Sequence, residues 1–343
     1  MMQLVHGGDW AGYRAQYGQD ALDLSANVSP LGLPEGVAKA ITAALATADR
    51  YPDPLCRALR AKLAVHEKVP MEHILCGNGA ADLIFRLVWA AKPRTALLPA
   101  PTFAEYAAAL ETAGCTVRRH FLQEKEDFAV TEAFVSAVDE DTDMVFLCQP
   151  NNPTGQLTPL PLVEALLRRC EACGALLVVD ECFLDFIKNE EGYSAAGRLA
   201  EYPNLIILKS FTKMYAIPGL RLGYVLSADA DLLNRMRLAG QPWSVSEPAQ
   251  AAGIAALRAE GFREQTIDLV DRERAFLKKK LEELGLCVCE GHANYLCFQA
   301  AGDEKLADRM QAEGILIRRC ANYHGLGADF YRTAVRRHAE NAK

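Results

Sequence analysis

Short apolar runs, each bounded by Gly, Pro or polar residues, alternate with stretches of helical periodicity through most of the chain. Strand-helix-strand units of this kind build a mainly parallel sheet with helices on its faces, so the fold class is α/β. The runs predict strands at Ile74–Cys76, Ala96–Pro99, Met144–Cys148, Ala175–Val179, Leu205–Leu208 and Leu222–Leu226, each of a length that a buried strand takes. Between two of them Leu162, Leu166, Cys170 and Cys173 share one helical face, with Thr158 and Pro159 as start signals and Gly174 as the stop.

From Ile267 the pattern changes to one long charged helix, with Ile267, Val270, Leu277, Leu281 and Leu284 along its stripe and Gly285 ending it. Strand-like Tyr295–Phe298 and Ile315–Ile317 flank a helix near Lys305–Ala312. At 343 residues the chain has room for two units. The division predicted is a large unit over 28–240 and a smaller one over 241–343, joined by an N-terminal arm of residues 1–27.

Composition narrows the partners. Asp plus Glu number 44 against 37 Lys plus Arg, a net charge of -7, and no basic footprint for nucleic acid or anionic lipid exists. Met1 to Asp9 carry no basic stretch leading into an apolar one, and Arg86 interrupts the longest candidate membrane span. The eleven cysteines are odd in number, which favours reduced thiols. The expectation is a cytoplasmic protein acting on a small molecule. Cys170-x-x-Cys173 lacks a second pair close by, Cys287-x-Cys289 has atypical spacing, and His66, His73, His120, His292, His324 and His338 form no ligand pair at helical spacing, so no metal is expected.

Four loops after strands carry the chemistry. Gly77-Asn78-Gly79-Ala80-Ala81-Asp82 opens a helix whose free N–H groups, at the positive end of its dipole, suit a phosphate. Alone it is an ordinary tight turn: a dinucleotide fingerprint needs glycine where Asp82 stands. Gln149-Pro150-Asn151-Asn152-Pro153-Thr154-Gly155 fixes its backbone with prolines and offers an asparagine amide. Asp180-Glu181-Cys182-Phe183 ends a strand on a carboxylate, and Ser210-Phe211-Thr212-Lys213 precedes Gly219-Leu220-Arg221-Leu222-Gly223. Singly these read as a proline turn, a cap and a polar loop. Together, at C-terminal strand ends where such sheets bind ligands, they supply phosphate donors, an amide, a carboxylate and a lysine. That set fits pyridoxal phosphate, with the lysine holding the aldehyde as a Schiff base and the carboxylate keeping the pyridine nitrogen protonated.

On the Asn-Asn-Pro-Thr-Gly motif at 151–155, the Asp180-Glu181 pair, and a lysine with serine three before and arginine eight after, the chain resembles the fold-type I pyridoxal-phosphate enzymes of the class I/II aminotransferase group over nearly its whole length. The resemblance implies an aspartate aminotransferase-like fold, with a mainly parallel seven-stranded sheet in the large domain and a smaller α/β domain. It implies Lys213 as the Schiff-base lysine, Asp180 as partner of the ring nitrogen and Asn152 as donor to the ring hydroxyl. The Gly79 and Ala80 backbone with Ser210, Thr212 and Arg221 would meet the cofactor phosphate, and Phe103 would stack on the ring. Tyr51 matches a tyrosine that relatives extend to the cofactor of the neighbouring subunit, which implies a homodimer. Lys209 competes for the Schiff base, but only Lys213 has both flanking spacings, and Phe183 stands where aminotransferases usually carry a tyrosine.

Within the group the chain is most similar to the L-threonine-O-3-phosphate decarboxylases of cobalamin biosynthesis. The likeness rests on His6-Gly7-Gly8, Leu24-Ser25-Ala26-Asn27, Pro30-Leu31-Gly32, Ala216-Ile217-Pro218-Gly219-Leu220-Arg221, the run Arg318-Arg319-Cys320-Ala321-Asn322-Tyr323, and Phe183. The histidinol-phosphate aminotransferases come next and are the alternative. Both act on a phosphorylated amine, which implies that Arg318 or Arg319, with Arg332, holds substrate anions, helped by Asn152, His6 and Asn27. Arg336 and Arg337 read as a solvated helical face. A regulatory cofactor-binding module is disfavoured, because no basic segment for DNA accompanies the catalytic set.

Overall fold

The computed structural model describes residues 6–343. After β1 (Leu22–Asp23) in the N-terminal arm come β2 (Ile74–Gly77), β3 (Thr95–Ala100), β4 (Thr116–Phe121), β5 (Met144–Cys148), β6 (Leu176–Asp180), β7 (Leu205–Ser210) and β8 (Gly223–Ser227). These last seven form one sheet in the order β2-β8-β7-β6-β5-β3-β4. β8 runs antiparallel to β2 and β7, and the other neighbouring pairs are parallel. Six of the seven were expected from their apolar runs. The seventh, β4, reads Thr-Val-Arg-Arg-His-Phe and lies at the sheet edge, where a strand pairs on one side and needs little apolar surface.

Strand alternation divides the core between the two faces. From β5, Val145 and Leu147 pack with Leu166 and Cys170 of the helix Leu160–Cys173, while Met144 and Phe146 pack with Leu83, Leu87 and Tyr106 on the other face. A sheet buried on both faces explains the unbroken apolar strands. The helix Leu160–Cys173 ends at Gly174, whose left-handed φ of 72° lets its N–H reach the Cys170 carbonyl. Beyond the boundary expected at 240, the helix Glu247–Ala256 packs Ala249, Ala252 and Ala256 into the same core as Leu166.

The remaining strands are β9 (Cys287–Val288), β10 (Tyr295–Gln299), β11 (Ile315–Leu316), β12 (Arg318–Arg319) and β13 (Phe330–Ala334). Four of them make an antiparallel sheet in the order β12-β13-β10-β9. β11 pairs in parallel with β1, Leu22 opposite Ile315, which ties the arm to this smaller unit. The helix Phe262–Glu283 buries Val270 and Leu277 beside Tyr295 and Leu296. Leu284, expected on that stripe, lies one residue past the helix and is exposed. No helix among the described residues is long and apolar enough to cross a membrane.

Candidate active site

The larger sheet brings the loops after β2, β3, β5, β6 and β7, and the segment entering β8, to one edge, because β8 runs against the others. A cavity of about 710 Å³ opens there. It is lined by Ala80, Phe103, Asn152, Asp180, Ser210, Thr212, Lys213 and Arg221 from the larger unit, and by His6, Asn27, Arg318 and Arg332 from the arm and smaller unit.

At its phosphate end the helix Gly79–Ala91 points its N-terminus at the cavity. Gly79 has φ +83°, and a Cβ there would fall 2.6 Å from Arg221 Nη2; at Gly223 it would fall 2.8 Å from the Ala80 nitrogen. Two missing side chains therefore let a guanidinium close on a helix start that already favours anions. Ser210 Oγ lies 2.8 Å from Thr212 Oγ1, placing both hydroxyls at the same spot. This cradle fits the phosphate of pyridoxal phosphate.

Asp180, at the end of β6, is buried with both oxygens engaged: Tyr106 Oη donates to Oδ2 at 2.6 Å and the Cys182 N–H to Oδ1 at 3.0 Å. Tyr106 was missed as a site residue, although it stands one helical turn beyond Phe103. Burial and the adjacent Asp180 carboxylate push its phenol well above the ordinary range, so it stays a donor.

The two candidate lysines part company. Lys213 Nζ lies 5.7 Å from the centre of the Phe183 ring, and burial, with Arg332 and Arg221 nearby, lowers its pKa to about 8. Lys209 lies outside the cavity lining, buried 3.4 Å from Glu181 and 3.7 Å from Glu67. Burial opposes its charge, but Glu181, Glu67 and Asp185 outweigh that and hold the ammonium well above its usual range. An amine so firmly protonated is a poor nucleophile.

The smaller sheet supplies the opposite wall. Arg318 of β12 and Arg332 of β13 are directly paired in register and so project from the same face, 8% and 6% exposed. Like charges side by side are unfavourable, which marks this face as built for anions. Arg332 donates through Nη1 to Asn152 Oδ1 and through Nη2 to the Ser25 carbonyl at 3.0 Å, and its guanidinium lies 5.4 Å from the Tyr295 ring centre. With its amide oxygen toward the guanidinium, Asn27 accepts from Nε and Nη1 at 3.2 and 3.3 Å. The Asn152 oxygen also accepts from Tyr323 Oη at 3.3 Å, so the Asn152 amide N–H₂ is the part left to donate. Arg318 gives Nη2 to Asn322 at 2.8 Å and lies 5.5 Å from the Tyr323 ring centre; burial lowers its pKa below the usual arginine value.

Two expectations, those for Arg319 and Arg336, fall differently. Arg319, the alternative to Arg318, projects from the other face of the two-residue strand, pairs with Asp308 and stays outside the cavity lining. Arg336, read as solvated, lines the cavity, whereas Arg337 is exposed and donates to the Pro30 carbonyl at 3.0 Å. His6 lines the cavity but binds Glu105 at 2.6 Å. Tyr51 stands away from the cavity of its own chain, 79% exposed and stacked on Trp243. Among the described residues no cluster of three or more His, Cys, Asp or Glu is arranged to hold a metal ion.

Residues 19–342 match the class I and II aminotransferase family, and the chain belongs to that family. Across 94% of its length it is 42% identical to the threonine-phosphate decarboxylase of Salmonella typhimurium, of which it covers 88%. The histidinol-phosphate aminotransferase of Clostridium acetobutylicum superposes with a TM-score of 0.87 at 28% identity, over 94% of this chain and 96% of that one. The L-threonine-O-3-phosphate decarboxylase of Porphyromonas gingivalis does so with 0.83 at 26%, over the same shares. The fold is that of the aspartate aminotransferase-like enzymes.

Proposed function

We propose that this chain is a pyridoxal-phosphate-dependent decarboxylase that converts L-threonine O-3-phosphate to (R)-1-aminopropan-2-yl phosphate in cobalamin biosynthesis. The observation that carries this reading is the pair of buried arginines, Arg318 and Arg332, side by side in register and facing the cavity that holds Lys213. A substrate with one carboxylate and one phosphate matches them. The family membership and the decarboxylase relative support the same reading.

When bound, the cofactor supplies the electron sink for a bond broken at the substrate Cα. Asp180, oriented by Tyr106 and the Cys182 N–H, holds a proton at the ring nitrogen. Arg332 binds the carboxylate and, with Arg318, sets which Cα bond is turned for cleavage. Lys213, with its lowered pKa, moves the proton at Cα near neutral pH. Phe183, edge-on to Tyr295 at 5.1 Å, brings no hydroxyl to the site.

The test is incubation of the holoenzyme with threonine phosphate and, separately, with histidinol phosphate plus 2-oxoglutarate. Carbon dioxide from the first with little glutamate from the second is expected. Rapid glutamate formation without carbon dioxide would make the chain a histidinol-phosphate aminotransferase on the same fold.

A cytoplasmic homodimer belongs to this proposal, supported by eleven unpaired cysteines and by the exposed Tyr51–Trp243 stack, from which Tyr51 would reach the cavity of a second copy. Inactive Tyr51→Ala and Lys213→Ala chains should regain part of their activity when mixed, because one hybrid site has both residues intact. A fully active monomer at assay concentration excludes the dimer.

A further inference from the structure

Arg336 lies four residues beyond Arg332, just after β13 ends. Its backbone is pinned twice by one side chain: the Arg336 N–H donates to Asn341 Oδ1 at 2.9 Å, and Asn341 Nδ2 donates to the Arg336 carbonyl at 2.8 Å. The guanidinium is held only loosely by comparison. Its Nη2 is 3.4 Å from Glu340 Oε1, and its Nε is buried without a hydrogen-bond partner among the described residues. The side chain as a whole is 26% exposed, but a buried N–H left unsatisfied is uncommon in a folded protein and calls for a reason.

The carboxylates that line the cavity already have partners. Asp23 accepts from the Ser25 N–H and Oγ at 2.8 and 2.6 Å, Glu105 takes His6, and Asp180 takes Tyr106. Arg221 lies over Gly79 at the phosphate cradle. Arg318, hydrogen-bonded to Asn322, and Arg332, hydrogen-bonded to Asn152, Asn27 and the Ser25 carbonyl, bring two further positive charges to the cavity, and Arg336 brings a third. A plain amino acid brings one carboxylate against them. A phosphorylated amino acid brings that carboxylate and a phosphate of about two negative charges near neutral pH, a second anion for the third arginine to meet.

We infer that Arg336 is a substrate-phosphate residue that sets the preference for a phosphorylated amino acid over its unphosphorylated counterpart. Glu340 is its placeholder, neutralising the guanidinium until a phosphate displaces it. This deepens the function proposed above and rests on it for the identity of the substrate, though not for the phosphate itself.

The experiment uses the holoenzyme, whose cofactor phosphate site is filled, and two ligands. With threonine phosphate, Arg336→Gln should raise KM at least tenfold, while spectroscopic binding of unphosphorylated threonine changes less than twofold. Arg336→Lys, which keeps the charge without the fork, should fall between. Calorimetry with orthophosphate reads the site without turnover: Arg336→Gln should weaken binding at least tenfold, and Glu340→Gln should tighten it. Equal losses for both forms of threonine, or orthophosphate affinity unchanged by Arg336→Gln, would overturn the assignment by making Arg336 a brace for the C-terminal helix. If wild type fails to decarboxylate threonine phosphate yet binds orthophosphate through Arg336, the substrate proposal falls and this one stands.

Discussion

The two walls of the cavity are made in different ways. The cofactor wall comes from loops in which each functional side chain sits within a few residues of a glycine, a proline or a strand end: Gly79 beside Ala80, Asn152 before Pro153, Asp180 closing β6, Lys213 three residues after Ser210. The anion wall comes from two strands of an antiparallel sheet, where Arg318 meets Arg332 only through register. Local geometry is written in adjacent residues; register depends on pairing between segments far apart in the chain. The first wall should therefore fail abruptly when one side chain is lost, and the second by degrees.

The largest effect is expected at the cofactor wall. Lys213→Ala should abolish the absorbance of the lysine-bound cofactor and cost about 10²–10⁴-fold in turnover through the lost proton transfer alone. Lys209→Ala should instead keep the absorbance and lower the unfolding midpoint, since removing the cation strands Glu181 and Glu67 at a cost of about 3–5 kcal/mol. Loss of absorbance from Lys209→Ala with retention in Lys213→Ala would reverse the two roles. On the anion wall, Arg332→Ala should lower kcat/KM for threonine phosphate by roughly 10²-fold while cofactor absorbance persists; a rise in KM with kcat unchanged would reduce it to a binding residue.

Proton linkage joins the walls. Capture of cofactor by the apoenzyme requires the neutral Lys213 amine, whose fraction grows as pH rises through its pKa of about 8. The capture rate should climb through that pH and level off above it, without waiting for the ordinary lysine value of 10.5. Arg332→Ala removes one positive neighbour, so the midpoint should move upward; a fixed midpoint would disconnect Arg332 from Lys213. The smallest effect is expected at Arg319, whose partner Asp308 is exposed: Arg319→Ala should change kcat/KM less than twofold. A loss comparable to that of Arg318→Ala would show that the strand presents both arginines to the substrate.

The same contrast explains what was legible in the sequence. Continuous apolar strands and the motifs at their ends were readable because the large sheet is buried on both faces and its loops are short-range devices. β4 was not, since an edge strand such as Thr116–Phe121 can be polar. Adjacent arginines at 318 and 319 gave no clue to which would turn inward, because strand parity is fixed by β13 and not by the pair itself. Arg336 resembled a helix-face residue beside Arg337, but the helix it adjoins begins only at His338. The alanine-rich helix Glu247–Ala256 offered no strong apolar stripe to show which unit it joins.

The pairing of β1 with β11, and the bond from Arg332 to the Ser25 carbonyl, join residues near 25 to residues beyond 315. During synthesis the residues of the seven-stranded sheet, and Lys213 with them, leave the ribosome before Arg318, Arg332 and Arg336 do. Domains generally fold as units as they emerge, so a nascent chain can shape the cofactor cradle while the anion wall is still untranslated. Under the function proposed above, competence toward substrate arrives last, with the closing of the arm, and a chain stalled before Arg318 would carry the cofactor cradle without its anion wall.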